Sequence, residues 1–240
     1  MKKKLGKPIV SLVIPAYNEE KYIGRLLNCL KRQDCPKNDF EVIVVDNGSS
    51  DKTAEIAQSL GARVVRLGEK GVSLARQEGS LAARGQIIAG TDADVVMPAN
   101  WVSEVIRTMQ DKGIVGVAGH IKAHSNNAWV QILYFLSFEF YNLVKIVLGE
   151  VYFSGMNFAL RKTVFEKSGG FNVGLMSGED LDLSLRVAKY GKLVFNRQLV
   201  VYSSSRRMQE GSLKSFWRYL VTFLAIRWGI GRAPSFKNYR

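Results

Sequence analysis

Three apolar runs in the first hundred residues each stop abruptly at a cluster of carboxylates, amides and hydroxyls, and this repeated break constrains the fold more than any other feature. The runs read IVSLVIP, FEVIVVDNG and QIIAGTDAD, with a fourth, ARVVRLG, between the last two. Each is short and rich in β-branched residues, the pattern of a strand covered on both faces. Between them lie helix-length segments at 19–32, 52–60 and 72–83, the second preceded by Ser49, Ser50 and Asp51 as N-cap candidates. Strand and helix alternating in this way predict a parallel sheet with crossover helices. Ligands of such sheets gather beyond the carboxyl ends of the strands, where the polar clusters 17–20, 46–51 and 92–94 fall. One shared cleft is expected.

A chain of 240 residues, 47% apolar and 23% charged, is long enough for one large domain and short for two. The expected division is a domain over 1–205 and a basic amphipathic helical tail over 206–240. Cys29 and Cys35 have neither metal nor redox spacing and read as ordinary thiols. The opening MKKKLGKP leads into an apolar run too short for a secretory signal, which predicts a cytoplasmic location.

The net charge of +13 is concentrated late, with Arg206, Arg207, Lys214, Arg218, Arg227, Arg232, Lys237 and Arg240 set against Glu210. Nucleic acid, anionic lipid or a diphosphate could each satisfy such a tail. Leu213, Trp217, Leu220, Leu224 and Trp228 recur at helical spacing, the stripe of a helix that packs on the core or lies on a membrane surface. The stretch Trp129–Leu148 approaches the length of a bilayer span, but Glu139, Lys145 and its amides point to a buried or interfacial helix instead.

Asp92 and Asp94, in GTDADV, follow an apolar strand that ends where they begin, so that both carboxylates can turn toward one cation. Hard oxygen ligands of this kind suit Mn²⁺ or Mg²⁺, with coordination positions left over for phosphate. A DxD alone is also a common solvated turn. His120 and His124, the only histidines, read as structural.

The context makes the pair specific. VIPAYNEE at 13–20, VVDNGSSDKT at 44–53, GVSLARQEGSLAARGQIIAGTDAD at 71–94 and SGED at 177–180 stand in an order and spacing that resembles family 2 glycosyltransferases of the GT-A fold over roughly residues 8–205. The implied fold class is α/β, a single Rossmann-like nucleotide-binding domain with a mainly parallel mixed sheet flanked by helices. The basic segment VYSSSRRMQEG is loosely similar to that of polyprenyl-phosphate and dolichyl-phosphate mannose synthases. Processive members carry QxxRW, whereas Leu224 stands at the glutamine position before Arg227 and Trp228, which argues against processive synthesis.

By that resemblance Pro15, Ala16, Tyr17, Glu19 and Asp46 hold the donor's base and ribose. Carboxylates can accept hydrogen bonds from base N–H groups or ribose hydroxyls, and Tyr17 offers a flat face. Arg76 is placed near the donor diphosphate, with Arg84 the competing arginine; Asp92 contacts the donor and, with Asp94, the metal. Asp180 of SGED is implied as the catalytic base, the bland alternative being a helix cap. Asn157 and Glu179 are implied on the acceptor side, and Arg206 and Arg207 at the diphosphate or an acceptor phosphate.

The expected activity is metal-dependent, inverting transfer of a hexose from a GDP-mannose or UDP-glucose type donor to a lipid-linked or glycolipid acceptor, by a protein peripheral to the inner face of the cell membrane. The expected partners are the nucleotide-sugar, an anionic membrane surface and the lipid-linked acceptor, without nucleic acid. The alternative is a non-catalytic nucleotide- or membrane-binding scaffold derived from such a transferase. A nucleotidyltransferase would need a glycine-rich, lysine-containing loop after the first strand, and PAYNEE has neither.

Overall fold

The computed structural model describes residues 7–204, 206 and 212–229. Strand β1 (Val10–Ala16) is buried at every position, because it runs in parallel between β2 (Phe40–Asp46) and β4 (Ile87–Gly90). Its side chains alternate between two cores. Val10, Leu12, Ile14 and Ala16 pack with Leu26 and Leu30 of α1 (Ile23–Lys31) and Trp101 of α4 (Trp101–Thr108). Val13 faces the other way, into a core with Ala75 of α3 (Val72–Leu81), Phe158 of β7 (Phe158–Arg161) and Leu183 of α7 (Glu179–Val187).

The sheet has eight strands in the order β3-β2-β1-β4-β7-β6-β8-β5. β3 (Arg63–Arg66) continues the parallel half beside β2. β7 runs antiparallel to both β4 and β6 (Ile114–Ala123); β8 (Lys192–Ser203) is parallel to β6, and β5 (Val95–Val96) is antiparallel to β8. The chain leaves β1 toward β2 and β3, then returns to place β4 on the other side of β1. The loops leaving β1 and β4 therefore diverge and open a crevice at the carboxyl ends.

Local details depart from the sequence reading. α1 starts at Ile23 rather than near residue 19, because residues 18–20 are drawn into bonds with the loop after β2. In front of α2 (Thr53–Ser59) the N-cap position is Lys52, yet Asp51 does the capping: its Oδ1 accepts from Thr53 N at 3.0 Å and Thr53 Oγ1 at 2.5 Å. α5 (Ala128–Leu148) buries only Val130 and Asn142, so it is not the buried helix that was one of its two expected forms.

The C-terminal helix α8 (Ser212–Trp228) packs on α7, with Leu220 and Leu224 of the expected stripe half-buried. Trp217 and Trp228 are exposed, while Thr222 is buried, Ile226 meets Gly178, and Phe223 meets the Tyr152 ring edge-on at 5.4 Å. The side chains of Leu213, Lys214 and Arg218 lie outside the described residues. Gly178 has φ of 76°, and a Cβ there would come within 2.7 Å of Thr222 Cγ2. The glycine of SGED thus serves both a left-handed turn and close helix approach.

Candidate active site

One side of the crevice is built by fastening two loops together. Asn47 N donates to Ala16 O at 2.8 Å, continuing the β1–β2 register that puts Ala16 beside Asp46. Asn18, in the left-handed region at φ 54°, donates its N–H to Ser49 Oγ and accepts from Ser50 N through Oδ1, each at 2.9 Å. Asparagine tolerates this backbone better than most residues. Glu19 N donates to Thr53 Oγ1 at 2.7 Å, Glu20 N to Asp51 Oδ2 at 3.1 Å, and Ser49 N to Asp46 Oδ1 at 3.1 Å. Several such bonds, each worth about 1 kcal/mol net, hold the loops in register.

Pro15 and Ala16 are buried under this frame, and Tyr17 is half-buried. Lys70 donates to Tyr17 Oη at 2.6 Å, and Asn47 Oδ1 accepts from Gly71 N at 3.0 Å, which brings the start of α3 to the same edge.

The next layer is a buried charge cluster around Arg76, which is 4% exposed. Arg76 Nη2 donates to Asp92 Oδ1 at 2.7 Å and Nε to Glu179 Oε1 at 3.2 Å. α3, the end of β4 and the start of α7 thereby meet at one guanidinium. Burial disfavours its charge, but Asp92, Glu179 and Asp180 outweigh that and raise its pKa. Nη1 of the same group is buried without a hydrogen-bond partner.

Asp180 lies beside this cluster and is half-buried. The N-cap of α7 is Gly178, so Asp180 is not the cap. Its Oδ2 accepts from Gly155 N at 2.5 Å and its Oδ1 from Leu181 N at 2.8 Å. A Cβ at residue 155 would overlap the Arg76 guanidinium, so only glycine lets this backbone reach Asp180. Burial raises the pKa of Asp180 against the opposing pull of Arg76 and the two backbone N–H groups. Burial, then the neighbouring Asp180, raises that of Glu179.

The outer layer is made by Arg206, just past β8. Its Nε and Nη2 donate to Asp94 Oδ2 at 3.0 and 2.9 Å, and Nη2 also reaches both oxygens of the fully buried Glu19 at 3.0 Å. Ser204 Oγ donates to the same Asp94 oxygen at 2.5 Å, and the guanidinium sits 4.2 Å from the centre of the Tyr22 ring.

Asp92 and Asp94 were expected to turn toward one cation; in this structure Asp92 bonds Arg76 and Asp94 bonds Arg206. Among the described residues no three His, Cys, Asp or Glu side chains gather as a metal site. The donor set still fits a hard divalent cation, since a half-buried carboxylate already carries a positive group and Mg²⁺-type sites need only one or two protein carboxylates plus phosphate oxygens.

Other expectations are corrected or decided here. Asn157 does not face an acceptor: it is fully buried, its Oδ1 accepts from Trp101 Nε1 at 3.0 Å, and its Nδ2 donates to His120 O and Leu199 O at 3.0 and 2.8 Å. Every polar atom of its amide is used in tying β6, β7 and β8 to α4. Glu179 likewise points inward to Arg76 rather than to an acceptor. Arg84 is exposed at the opposite end of the sheet, its N–H on Ser11 Oγ at 3.1 Å, so Arg76 is the arginine of the cleft. Arg207 lies outside the described residues. His120 stacks on Phe138 at 4.0 Å, with its pKa lowered by burial and then by Lys122 and Arg197.

Gly155, Lys70, Ser204 and Tyr22 belong to the site and were not singled out from the sequence. Gly155 owes its place to a close approach by Arg76, far away in the chain.

This architecture is shared with GT-A glycosyltransferases. The mannosyltransferase PcManGT from Pyrobaculum calidifontis, in complex with GDP-Man and Mn²⁺, superposes with a TM-score of 0.76 at 22% identity over 95% of this chain and 66% of its own. Residues 11–169 match the family model for glycosyl transferase family 2, and the chain belongs to that family. Glycosyltransferase AglE of Haloferax volcanii is 29% identical over 216 residues, 87% of this chain and 71% of AglE. The dolichyl N-acetyl-alpha-D-glucosaminyl phosphate 3-beta-D-2,3-diacetamido-2,3-dideoxy-beta-D-glucuronosyltransferase of Methanococcus voltae is 24% identical over 246 residues, 91% of this chain and 72% of that protein. The chain is a glycosyltransferase.

Proposed function

We propose that this glycosyltransferase moves a hexose, with inversion, from a GDP-mannose or UDP-glucose type donor to a lipid-linked or glycolipid acceptor at the inner face of the cell membrane, in a metal-dependent reaction. One observation carries the reading: Arg76 joins the DxD residue Asp92 to the SGED helix, so that Asp180 stands beside the donor-side carboxylates in one charge cluster. The GDP-Man and Mn²⁺ held by the Pyrobaculum enzyme and the dolichyl-linked substrate in the Methanococcus enzyme's name support donor, metal and acceptor class.

In this mechanism Asp46 accepts from ribose or base, and Tyr17 lies against the base. Asp180 takes the proton of the attacking acceptor hydroxyl as its oxygen bonds to the anomeric carbon opposite the departing nucleoside diphosphate. Its bonds to Gly155 and Leu181 hold the carboxylate still. Negative charge grows on the diphosphate, and Arg206, released from Asp94 and Glu19, meets it with a forked pair of donors. Asp94 and Asp92 would hold Mn²⁺ or Mg²⁺, which supplies further charge neutralisation at the diphosphate. With a phosphate acceptor, already ionised, Asp180 positions rather than deprotonates.

Calorimetric titration with GDP, UDP and their sugar conjugates, in Mn²⁺ and then in EDTA, tests the reading. Metal-dependent binding of one nucleotide, lost in Asp94→Ala, is the expected result. Absence of binding to all of them would overturn it in favour of a non-catalytic scaffold.

A further inference from the structure

α5 sits across the sheet with one face packed and the other bare. On the packed side Phe138 stacks on His120, and Tyr141 meets Phe195 at 5.3 Å and exchanges hydrogen bonds with the Tyr152 backbone. On the opposite side Trp129, Phe135, Leu136, Leu143, Ile146 and Val147 are each more than half exposed, Trp129 and Ile146 at 74%. These six side chains leave roughly 700 Å² of apolar surface in one stripe, more than a soluble monomer ordinarily leaves in water.

The helix is 21 residues long, with a mean hydropathy of 1.3 over its most apolar window, enough by length and composition to cross a bilayer. The topology forbids crossing. β6 enters α5 and β7 follows it, and these two strands are hydrogen-bonded neighbours, with Ala118 opposite Phe158. A spanning helix would put them on opposite sides of the membrane. α5 can therefore only lie along a surface.

Charge chooses between a bilayer and a second copy of the chain. Net charge is +13. Lys122 is exposed just before the helix, and Lys192 lies with Gly149 and Glu150 around one pocket at its far end. Two copies placed face to face would bring these cations together, whereas anionic headgroups complement them. Glu139, exposed within the stripe, opposes burial in hydrocarbon and suits a helix held at headgroup depth.

We propose that α5 is the surface by which the protein docks on an anionic bilayer, lying flat in the headgroup region. Resting on the reading of a lipid-borne acceptor, the consequence is that docking holds the protein at the surface that carries its acceptor.

Vesicle flotation of the whole protein tests this, using phosphatidylcholine alone and with about 30 mol% phosphatidylglycerol. The wild type is expected to float with the anionic vesicles, and Leu136→Glu/Leu143→Glu to lose about tenfold or more of its partitioning. Leu81→Glu, on α3 and equally exposed, is expected to float as the wild type does. Equal flotation of wild type and the double variant would overturn the proposal. So would a wild type that ignores vesicles and sediments as a dimer that the double variant dissociates. Calorimetric donor binding by the same double variant shows that it is folded. Flotation without any donor binding by the wild type would sink the transferase mechanism and leave the docking surface standing.

Discussion

The two arginines of the cleft hold their carboxylates in opposite ways. Arg76 is locked inside, on a helix packed against the sheet, with Asp92 and Glu179 as fixed partners. Arg206 is half-buried just past the last strand, and bonds both the half-buried Asp94 and the fully buried Glu19. The first arrangement organises the site whether or not substrate is present. The second places a half-buried cation, shared between Asp94 and Glu19, where the proposed reaction needs one.

If the inner layer includes the base, Asp180→Asn has the largest effect, a loss of about 10²- to 10⁴-fold in turnover for a hydroxyl acceptor, with donor affinity retained. Its pH dependence sharpens the point. Because burial raises the pKa of Asp180, the acid limb of kcat/KM should lie above the pH of about 4 at which an ordinary aspartate ionises. The same raised pKa stabilises the fold below the unfolded value and loses that contribution as pH rises through the folded one. Asp180→Asn is therefore expected to melt no lower than the wild type at neutral pH; a lower melting temperature would mean a structural role instead.

Arg76→Met comes next. It removes the cation that Asp92 and Glu179 share inside the protein and should lower stability by about 3–5 kcal/mol in urea unfolding. A variant as stable as the wild type would show that the inner layer is not what holds the cleft together.

Arg206→Gln should have the smallest effect and the opposite sign. Freed of its guanidinium, Asp94 should bind Mn²⁺ alone more tightly, by about fivefold or less. Affinity for the nucleotide diphosphate in Mn²⁺ should fall. Weaker binding of Mn²⁺ alone would break the comparison, since the arginine would then support the cation site rather than occupy it.

The parallel half of the sheet was legible because its signals are local. VIPAYNEE, VVDNGSSD and GTDAD each combine an apolar run with the polar residues that immediately follow, and strand direction alone carries those residues to the same edge. α5 and α8 were legible as helices but not in their orientation. A stripe of apolar residues tells that a helix has an apolar face, not whether protein, lipid or water lies against it. In α8 the packed face is set by Gly178 and Tyr152, which no periodicity within the helix encodes.

Asn157 and Glu179 show the same limit within the site. Their residue types suit an acceptor as well as they suit a core, and only Trp101, Leu199 and Arg76, brought in from distant parts of the chain, decide the matter. The sequence by itself determined the parallel half of the sheet, the order of the motifs and the family. The tertiary structure decided which arginine lies in the cleft, which carboxylates answer to which cation, and which face of α5 is left bare. Apolar period and strand polarity act over a few residues and survive in the linear chain. Burial and charge pairing depend on contacts between residues far apart in sequence, and these exist only once the sheet has formed.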